Sequence, residues 1–542
     1  MSGTGTTASH YGTESLMTSA TATASSEQEA STPPDRLTPV PWRPVSVTAA
    51  AMTVCLLALA TRHGYHVDEL YTRVASRHLA WGYIDQPPLV ALVGKVEMAL
   101  FGDSLFGFRV VPALLASVAV LLAPLIAREL GGGSRAQILA AFMAFASGVV
   151  MFTGHIMGTN NWDELSWVTV SWLLIRMVRT RDTRLWWAIG VVVGVGLTAK
   201  YLLVLLLLCL GAGLLVFGPR WVFRTWRFPA AVGVAVAIAS PVLIWQITHG
   251  MPQLEMSAAL SKALETLSRS TFIPMQLLLV GIFLSPVWIA GLVALLRRSE
   301  WRAYRFVGWA YLLMVVLLLA VGGQGAYTTS LQYVLLASGA VVVDRWARSI
   351  KRFGVICGLT GLNAVSCAIL LLPTLPINAY ASNAVLSSAA ITQFDQAGWP
   401  AMTRQVGAIY HSLPQDEQSH TIIYGNHYGQ AGAIDKWGPK YGLPKAYSGH
   451  NSYADFGRPS EDKTTVITIG VDPKQFGKLF QSCEKRGEYE SDLPVSDDGQ
   501  KFMVCRGPLK PWPQLWEQLR WIGFQCPYTA KAVTANSTKG CD

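Results

Sequence analysis

Charge is what this chain lacks. Only 14% of its 542 residues are charged, against 51% hydrophobic, where a soluble globular protein carries about 25% charged residues. That shortage excludes a soluble enzyme and points to a polytopic membrane protein, long enough for a large membrane domain and one further domain. Soluble nucleotide chemistry is missing as well: no GxGxxG follows a strand, and no P-loop lysine follows a glycine run. No cleavable signal peptide is apparent. Residues 1–42 form a Ser/Thr/Ala-rich tail with a Pro-rich end and no short apolar core, which reads as disordered and cytoplasmic. Cysteine is sparse, with eight residues. Cys55, Cys209, Cys357 and Cys367 lie in apolar runs, and Cys483, Cys505, Cys526 and Cys541 lie near the end. The spacing matches no zinc signature. An even set in an oxidising compartment can form two disulfides, and Cys483–Cys505 with Cys526–Cys541 is the expected pairing among three.

The net charge of +10 does not mark a nucleic-acid binder. Arginines cluster in short loops at 128–135, 176–184, 220–227, 297–305 and 345–352, alternating with loops poor in arginine, which is the positive-inside pattern. A membrane helix needs roughly 20 apolar residues. Candidate spans are 44–61, 108–127, 136–154, 162–178, 185–199, 201–218, 228–247, 272–296, 304–321, 328–343 and 353–373, about eleven. The tail and the arginine loops then lie in the cytoplasm. The loops 62–107, 155–161, around Lys200, 248–271 and 322–327, and everything after about 374, lie outside. Asp68, Glu69, Asp85, Asp163, Lys200, His249 and Tyr327 all fall on that outer side.

The loop 62–107 carries structure of its own. Leu70, Val74 and Leu79 at helical spacing predict a helix over 68–81 lying in the interface. Pro87-Pro88 ends that unit and starts a second short apolar helix at 89–101. Residues 374–542 are far more polar, with 16 basic against 16 acidic residues. Strand-like runs at 421–424, 465–469 and 502–505 and helical stretches near 399–412 and 473–482 predict a small α/β domain outside the membrane. The fold class is therefore mainly α: a transmembrane domain over 43–373 with an extracytoplasmic α/β domain over 374–542.

Carboxylates at a membrane surface are costly to desolvate, so they usually have a function. Asp68-Glu69-Leu70-Tyr71 and Asp85-Gln86-Pro87-Pro88 both lie where a lipid head group would be. Asp68, with Glu69, is the catalytic candidate, able to take a proton from an acceptor or to orient it; the bland alternative is helix capping. Asp85 is either a cap before the proline pair or a contact to metal or substrate, with Tyr71 and Gln86 as further substrate contacts. Asp163 starts a span, where it suits the helix dipole or binds sugar beside Thr159-Asn160-Asn161. Lys200, between two apolar runs, needs an anionic partner such as a phosphate, unless it snorkels to the interface. His249 is a metal ligand, a base, or neither. Tyr327 ends the run Gly322-Gly323-Gln324-Gly325-Ala326-Tyr327, whose backbone N–H groups can approach a head group. A divalent cation held by Asp85 and His249 is the single cofactor these residues suggest. On the outer face cytosolic nucleotide sugars are out of reach, whereas a flipped polyprenyl-phosphate sugar is available.

The run from Asp68-Glu69-Leu70-Tyr71 through His78-Leu79-Ala80-Trp81-Gly82-Tyr83-Ile84-Asp85-Gln86-Pro87-Pro88-Leu89 resembles bacterial glycosyltransferases of the dolichyl-phosphate-mannose protein mannosyltransferase type. These include the lipid A aminoarabinose transferases and share the C-type glycosyltransferase fold. Arg128-Glu129-Leu130-Gly131-Gly132, the Asp163 segment, Lys200-Tyr201, Trp245-Gln246 with His249-Gly250, and Ala337-Ser338-Gly339-Ala340 extend the likeness. Tyr424-Gly425-Asn426-His427-Tyr428-Gly429-Gln430 and Tyr447-Ser448-Gly449-His450-Asn451-Ser452-Tyr453 resemble a separate branch of the family. The resemblance implies inverting transfer from a polyprenyl-phosphate sugar, with Asp68 as the catalytic residue, Asp85 as a metal or phosphate contact and Asp163 as the second-loop acid. One departure matters. Aminoarabinose transferases tend to read Glu-Lys-Pro-Pro where this chain reads Asp85-Gln86-Pro87-Pro88, which questions that donor and that metal site.

The expected protein is thus a multi-pass inner-membrane enzyme moving a sugar from polyprenyl phosphate to a lipid, protein or glycan acceptor outside the cytoplasm. Two other classes compete. A flippase for lipid-linked glycan would place its charges along a path near mid-membrane, and a membrane-anchored glycan-binding protein would leave Asp68, Glu69 and Asp85 without a role.

Overall fold

This computed structural model describes residues 37–523, with residues 1, 3 and 5 before them; the side chains of 264–268 lie outside the description. Most of the expected tail, and the expected Cys526–Cys541 bridge, likewise lie outside the described residues.

Each of the eleven expected spans contains a helix. Among the described residues six helices are long and apolar enough to cross a membrane, and eight if each of two bent pairs counts as one span. Leu185–Leu197 and Leu203–Phe217 are apolar but shorter, separated by a break at 198–202. Thr159–Thr180 is long enough but carries Asp163 and Glu164 near its start. Thr329–Trp346 is the central helix, with 83% of its apolar window buried.

Two expected spans are not straight. Segment 136–154 is the pair Ser134–Phe145 and Gly148–His155, bent by 52°, and 272–296 is broken between Arg269–Leu278 and Ile282–Arg297, bent by 75°. The two breaks meet. The Gly148 N–H donates to Val280 O, and the fully buried Asn363 amide donates to both Ala146 O and Val280 O at 2.8 and 3.1 Å. One asparagine thus satisfies carbonyls that both helices free by bending, as backbone groups away from water require. The expected outer loop 248–271 is corrected too: most of it is the start of the helix Pro252–Leu278, opened by a proline in its first turn.

The first outer loop folds as two helices, Val67–Ala75 and Leu89–Phe101. The first is shorter than the expected 68–81. Glu69, Leu70, Tyr71, Thr72, Arg73 and Val74 are all buried, Glu69 against Arg109 and Met157, and Leu70 and Tyr71 against the extramembrane domain. Its helix Tyr428–Trp437 crosses so closely that a side chain at Gly432 would meet Leu70 at 3.0 Å.

That domain holds one five-stranded sheet of β1 (Thr421–Gly425), β2 (Ala446–Tyr447), β3 (Thr465–Ile469), β4 (Phe480–Glu488) and β5 (Lys501–Pro508), in the order β2-β1-β3-β5-β4. β1 runs parallel to β2 and β3, while β5 runs antiparallel to β3 and β4. β1 and β3 are buried along their whole length, the pattern of strands covered on both faces. Cys483 and Cys505 face each other across β4 and β5 and form the expected disulfide. The expected helix near 473–482 ends at Phe476, and β4 takes over from Phe480.

Candidate active site

The site is built on the Val67–Ala75 helix. Its N-cap is His66, whose ring accepts from Asp68 N–H at 3.2 Å, while the Glu69 carboxylate accepts from His66 N–H at 2.9 Å. Asp68 is therefore no cap, and its side chain points outward, 55% exposed. Adjacent Glu69 points inward and is fully buried. Its Oε1 accepts from Arg109 Nε at 2.9 Å and Met157 N–H at 3.0 Å, and its Oε2 from Arg109 Nη2 at 2.6 Å besides His66 N–H. With all these acceptor positions occupied, Glu69 cannot serve as a base beside Asp68. It pins the helix instead. Arg109 extends that pin to Ala60 O, Gly64 O and the Gln396 amide oxygen, joining the membrane domain, the outer loop and the extramembrane domain.

Two phenols hold the Asp68 and Asp85 carboxylates. Tyr428 OH donates to Asp68 Oδ1 at 2.8 Å, and Tyr71 OH donates to Asp85 Oδ1 at 2.6 Å. The two rings lie against each other with centroids 4.7 Å apart. Tyr428 also stacks on His450 at 4.5 Å, and His450 on Trp521 at 3.7 Å, so the extramembrane domain presents a layered aromatic wall behind Asp68. His450 Nδ1 accepts from Tyr428 N–H and Nε2 faces Gly523 O; burial holds its pKa well below the usual value, so the ring is neutral. Burial raises the Tyr71 and Tyr428 phenols well above 10, with the facing carboxylates adding to it.

Asp85 does not cap the helix after the proline pair, which starts at Pro88 without a side-chain cap. Burial pushes its carboxyl up to about 7 against the lowering bond from Tyr71, and the negative charge of Asp68 adds to the rise. The loop holding it is fixed at several points. Ile84 N–H donates to Ser452 Oγ at 2.7 Å and the Gln253 amide to Ile84 O at 2.9 Å. The Trp245 ring lies so close to Gly82 that a side chain there would meet it at 2.3 Å. Gln86 is buried, and its amide nitrogen has no partner among the described residues.

A second group surrounds Lys200 at the break between the two short helices. Its ammonium donates to Asn160 Oδ1 at 2.6 Å, lies 4.0 Å from Asp163 Oδ2 and sits 5.4 Å from the Tyr327 ring centre. Asp163 also accepts from Trp167 Nε1 at 2.8 Å. Three expected site residues thus meet here, and the bond from Leu89 N–H to Thr198 O at 2.9 Å ties this break to the Asp85 loop. Between them opens an apolar cleft of about 430 Å³, lined by Leu79, Trp81, Pro88, Leu92, Ile238 and Val242 among others.

His249 is exposed. Its Nδ1 meets Trp245 O at 2.8 Å and its ring stacks on Trp245 at 4.2 Å. Among the described residues no three His, Cys, Asp or Glu side chains gather as a metal site needs, and Asp85 and His249 hold different partners, so the donor set does not fit the expected cation. Tyr428, His450, Ser452 and Arg109 belong to the site without having been expected there. The first three lie in segments singled out by resemblance alone, and nothing in the sequence joins them to Asp68.

Residues 85–245 match the family model for dolichyl-phosphate-mannose-protein mannosyltransferases. The undecaprenyl phosphate-alpha-4-amino-4-deoxy-L-arabinose arabinosyl transferase 2 of Pseudomonas fluorescens is 29% identical over 180 residues, 32% of this chain and 26% of that protein. The polyprenol-phosphate-mannose–protein mannosyltransferase of Corynebacterium glutamicum is 25% identical over 29% of this chain and 27% of its own length. The chain thus spans about a quarter of the length of these two relatives. ArnT from Cupriavidus metallidurans, solved bound to undecaprenyl phosphate, superposes with a TM-score of 0.56 at 15% identity, over 84% of this chain and 97% of that one. The chain is a polytopic helical membrane protein of the C-type glycosyltransferase fold, similar to protein mannosyltransferases and aminoarabinose transferases.

Proposed function

We propose that this protein is a membrane glycosyltransferase that moves a sugar from a polyprenyl-phosphate donor to an acceptor outside the cytoplasm, inverting the configuration at C1. The observation that carries this reading is Asp68, an exposed carboxylate whose Oδ1 accepts from Tyr428 and whose Oδ2, 3.8 Å from His66 Nδ1, stays open to an acceptor. In the step proposed, Asp68 Oδ2 takes the proton of the acceptor O–H or N–H. The acceptor atom bonds to C1 from the side opposite the phosphate. The C1–O bond breaks, and its electron pair leaves with the phosphate oxygen.

The Lys200 ammonium is placed to meet that phosphate, since a fixed cation stabilises a leaving anion most in a site shielded from water. The prenyl tail would lie in the apolar cleft beside Thr198, two residues from Lys200. Gln86, with its unpartnered amide nitrogen, and Asp85 with Tyr71 form the other wall, where sugar hydroxyls would bind. Asp163 and Tyr327 hold Lys200 in position. The acceptor is a lipid, protein or glycan on that face. The positive-inside pattern of the arginine loops supports a cytoplasmic opposite face and N-terminus, with the protein in the inner membrane and the 374–542 domain outside.

The reading is tested in proteoliposomes supplied with a panel of polyprenyl-phosphate sugars and membrane acceptors. Release of polyprenyl phosphate with a sugar-bearing product is expected. Movement of intact donor across the bilayer without cleavage would contradict it and support a transporter instead.

A further inference from the structure

A second cleft lies at the far end of the membrane domain. It measures about 660 Å³ and is lined by Val216, Phe217, Arg220, Trp221, Arg224 and Arg302, with smaller residues between them. Two helices locate it. Leu203–Phe217 starts beside Lys200 and ends at this cleft, and Arg305–Val321 starts at the cleft and runs back toward Tyr327. At 1.5 Å per residue the 15-residue helix puts roughly 22 Å between the two ends, so the cleft opens on the opposite membrane face from Asp68.

Its three arginines are exposed, and among the described residues no acidic one lines it. Arg220 donates to Leu215 O at 2.7 Å, and among the described residues neither Arg224 nor Arg302 has a carboxylate partner. The acid on the neighbouring turn, Glu300, is already held by Arg298 and Arg345. Next to this charge the surface is apolar. Leu215, Val216 and Phe217 are 52, 62 and 42% exposed, and Phe217 stacks on Trp309, itself 38% exposed, at 4.4 Å. Positive charge over an apolar strip at a membrane boundary matches the two halves of one ligand.

We infer that this cleft binds the head group of an anionic phospholipid, its phosphate between Arg224, Arg302 and Arg220 and its acyl chain along Val216, Phe217 and Trp309. Arginine suits this better than a generic topology signal requires, because its planar fork binds phosphate oxygens in pairs. The site is independent of sugar transfer, since none of its residues approaches Asp68 or Lys200.

The test uses the full-length protein in nanodiscs or detergent, titrated with phosphatidylglycerol, phosphatidylcholine or inorganic phosphate, with bound lipid counted by native mass spectrometry. Phosphatidylglycerol should be retained selectively, and R224Q/R302Q should weaken it about 30-fold, from the usual gain per basic residue near an anionic surface. The charge-conserving R224K/R302K keeps most of the binding and controls for misfolding. Equal retention of phosphatidylcholine would overturn the inference. So would displacement of the lipid by inorganic phosphate at equal concentration, or undiminished binding by the folded R224Q/R302Q protein.

Discussion

Tyr428 donates a hydrogen bond to Asp68 across 2.8 Å and 360 residues of chain. The extramembrane domain therefore takes part in the site. With Tyr428 attached, Asp68 has Oδ1 fixed, while Oδ2 lies 3.8 Å from His66 Nδ1. Tyr428→Phe keeps the ring and its stack on His450 and removes only the hydroxyl. A hydrogen bond to a charged group contributes about 1.5–3 kcal/mol, so kcat should fall by roughly 10- to 100-fold with donor KM and thermal stability little changed. Steady-state kinetics with purified protein checks this. A rise in KM with unchanged kcat would place Tyr428 in donor binding.

Glu69 and Asp68 are neighbours in sequence and opposites in role. Removing one partner of a buried ion pair costs about 3–5 kcal/mol, because the other charge is left uncompensated. Glu69→Gln should therefore destabilise the fold by several kcal/mol, and Arg109→Ala likewise. Denaturant unfolding in detergent would show this. A stable Glu69→Gln protein with lost turnover would return Glu69 to the catalytic role read from the sequence.

Asp85 gives a pH dependence of defined sign. Its carboxyl titrates near 7 in the folded protein and near 3.9 when unfolded. Between those values the folded state binds more proton than the unfolded one, so stability falls as pH rises from about 4 to about 7. The contribution is fully present below pH 4 and lost above pH 7, with an upper bound of about 4 kcal/mol. Asp85→Asn should flatten that part of the stability-against-pH curve. An unchanged slope would show that another group is responsible.

Lys200 is assigned to the donor phosphate. Lys200→Met should raise donor KM and lower kcat/KM by about 100-fold, while Lys200→Arg, which keeps the charge, should recover part of it. Equal loss in both variants would point to the bond with Asn160, not the charge.

Much of this architecture is legible in the chain. Apolar runs that form helices and β-branched strands such as Thr421–Gly425 each carry a local periodic signal, and the structure has helices and a strand there. The bends were not legible, because they depend on Asn363, whose partners Ala146 and Val280 are 217 and 83 residues away. For the same reason Asp68 and Asp85 could be selected from their cost at a membrane surface, but Tyr428 could not. A tyrosine in an α/β domain has no sequence feature that directs it to a helix 360 residues earlier. The separate surroundings of Glu69 and Asp68 are not legible either, because neighbours on a helix need not be neighbours in space. Successive residues of a helix point about 100° apart, and here one faces solvent and the other Arg109.

Proton transfer by Asp68 is the step on which the proposed activity depends. The most direct test is single-turnover release of polyprenyl phosphate by wild type and Asp68→Asn, with donor binding measured in parallel. The variant should bind donor as tightly as wild type and release polyprenyl phosphate at least 100-fold more slowly, within the range of general acid–base contributions. Release at the wild-type rate with equal donor binding would contradict it.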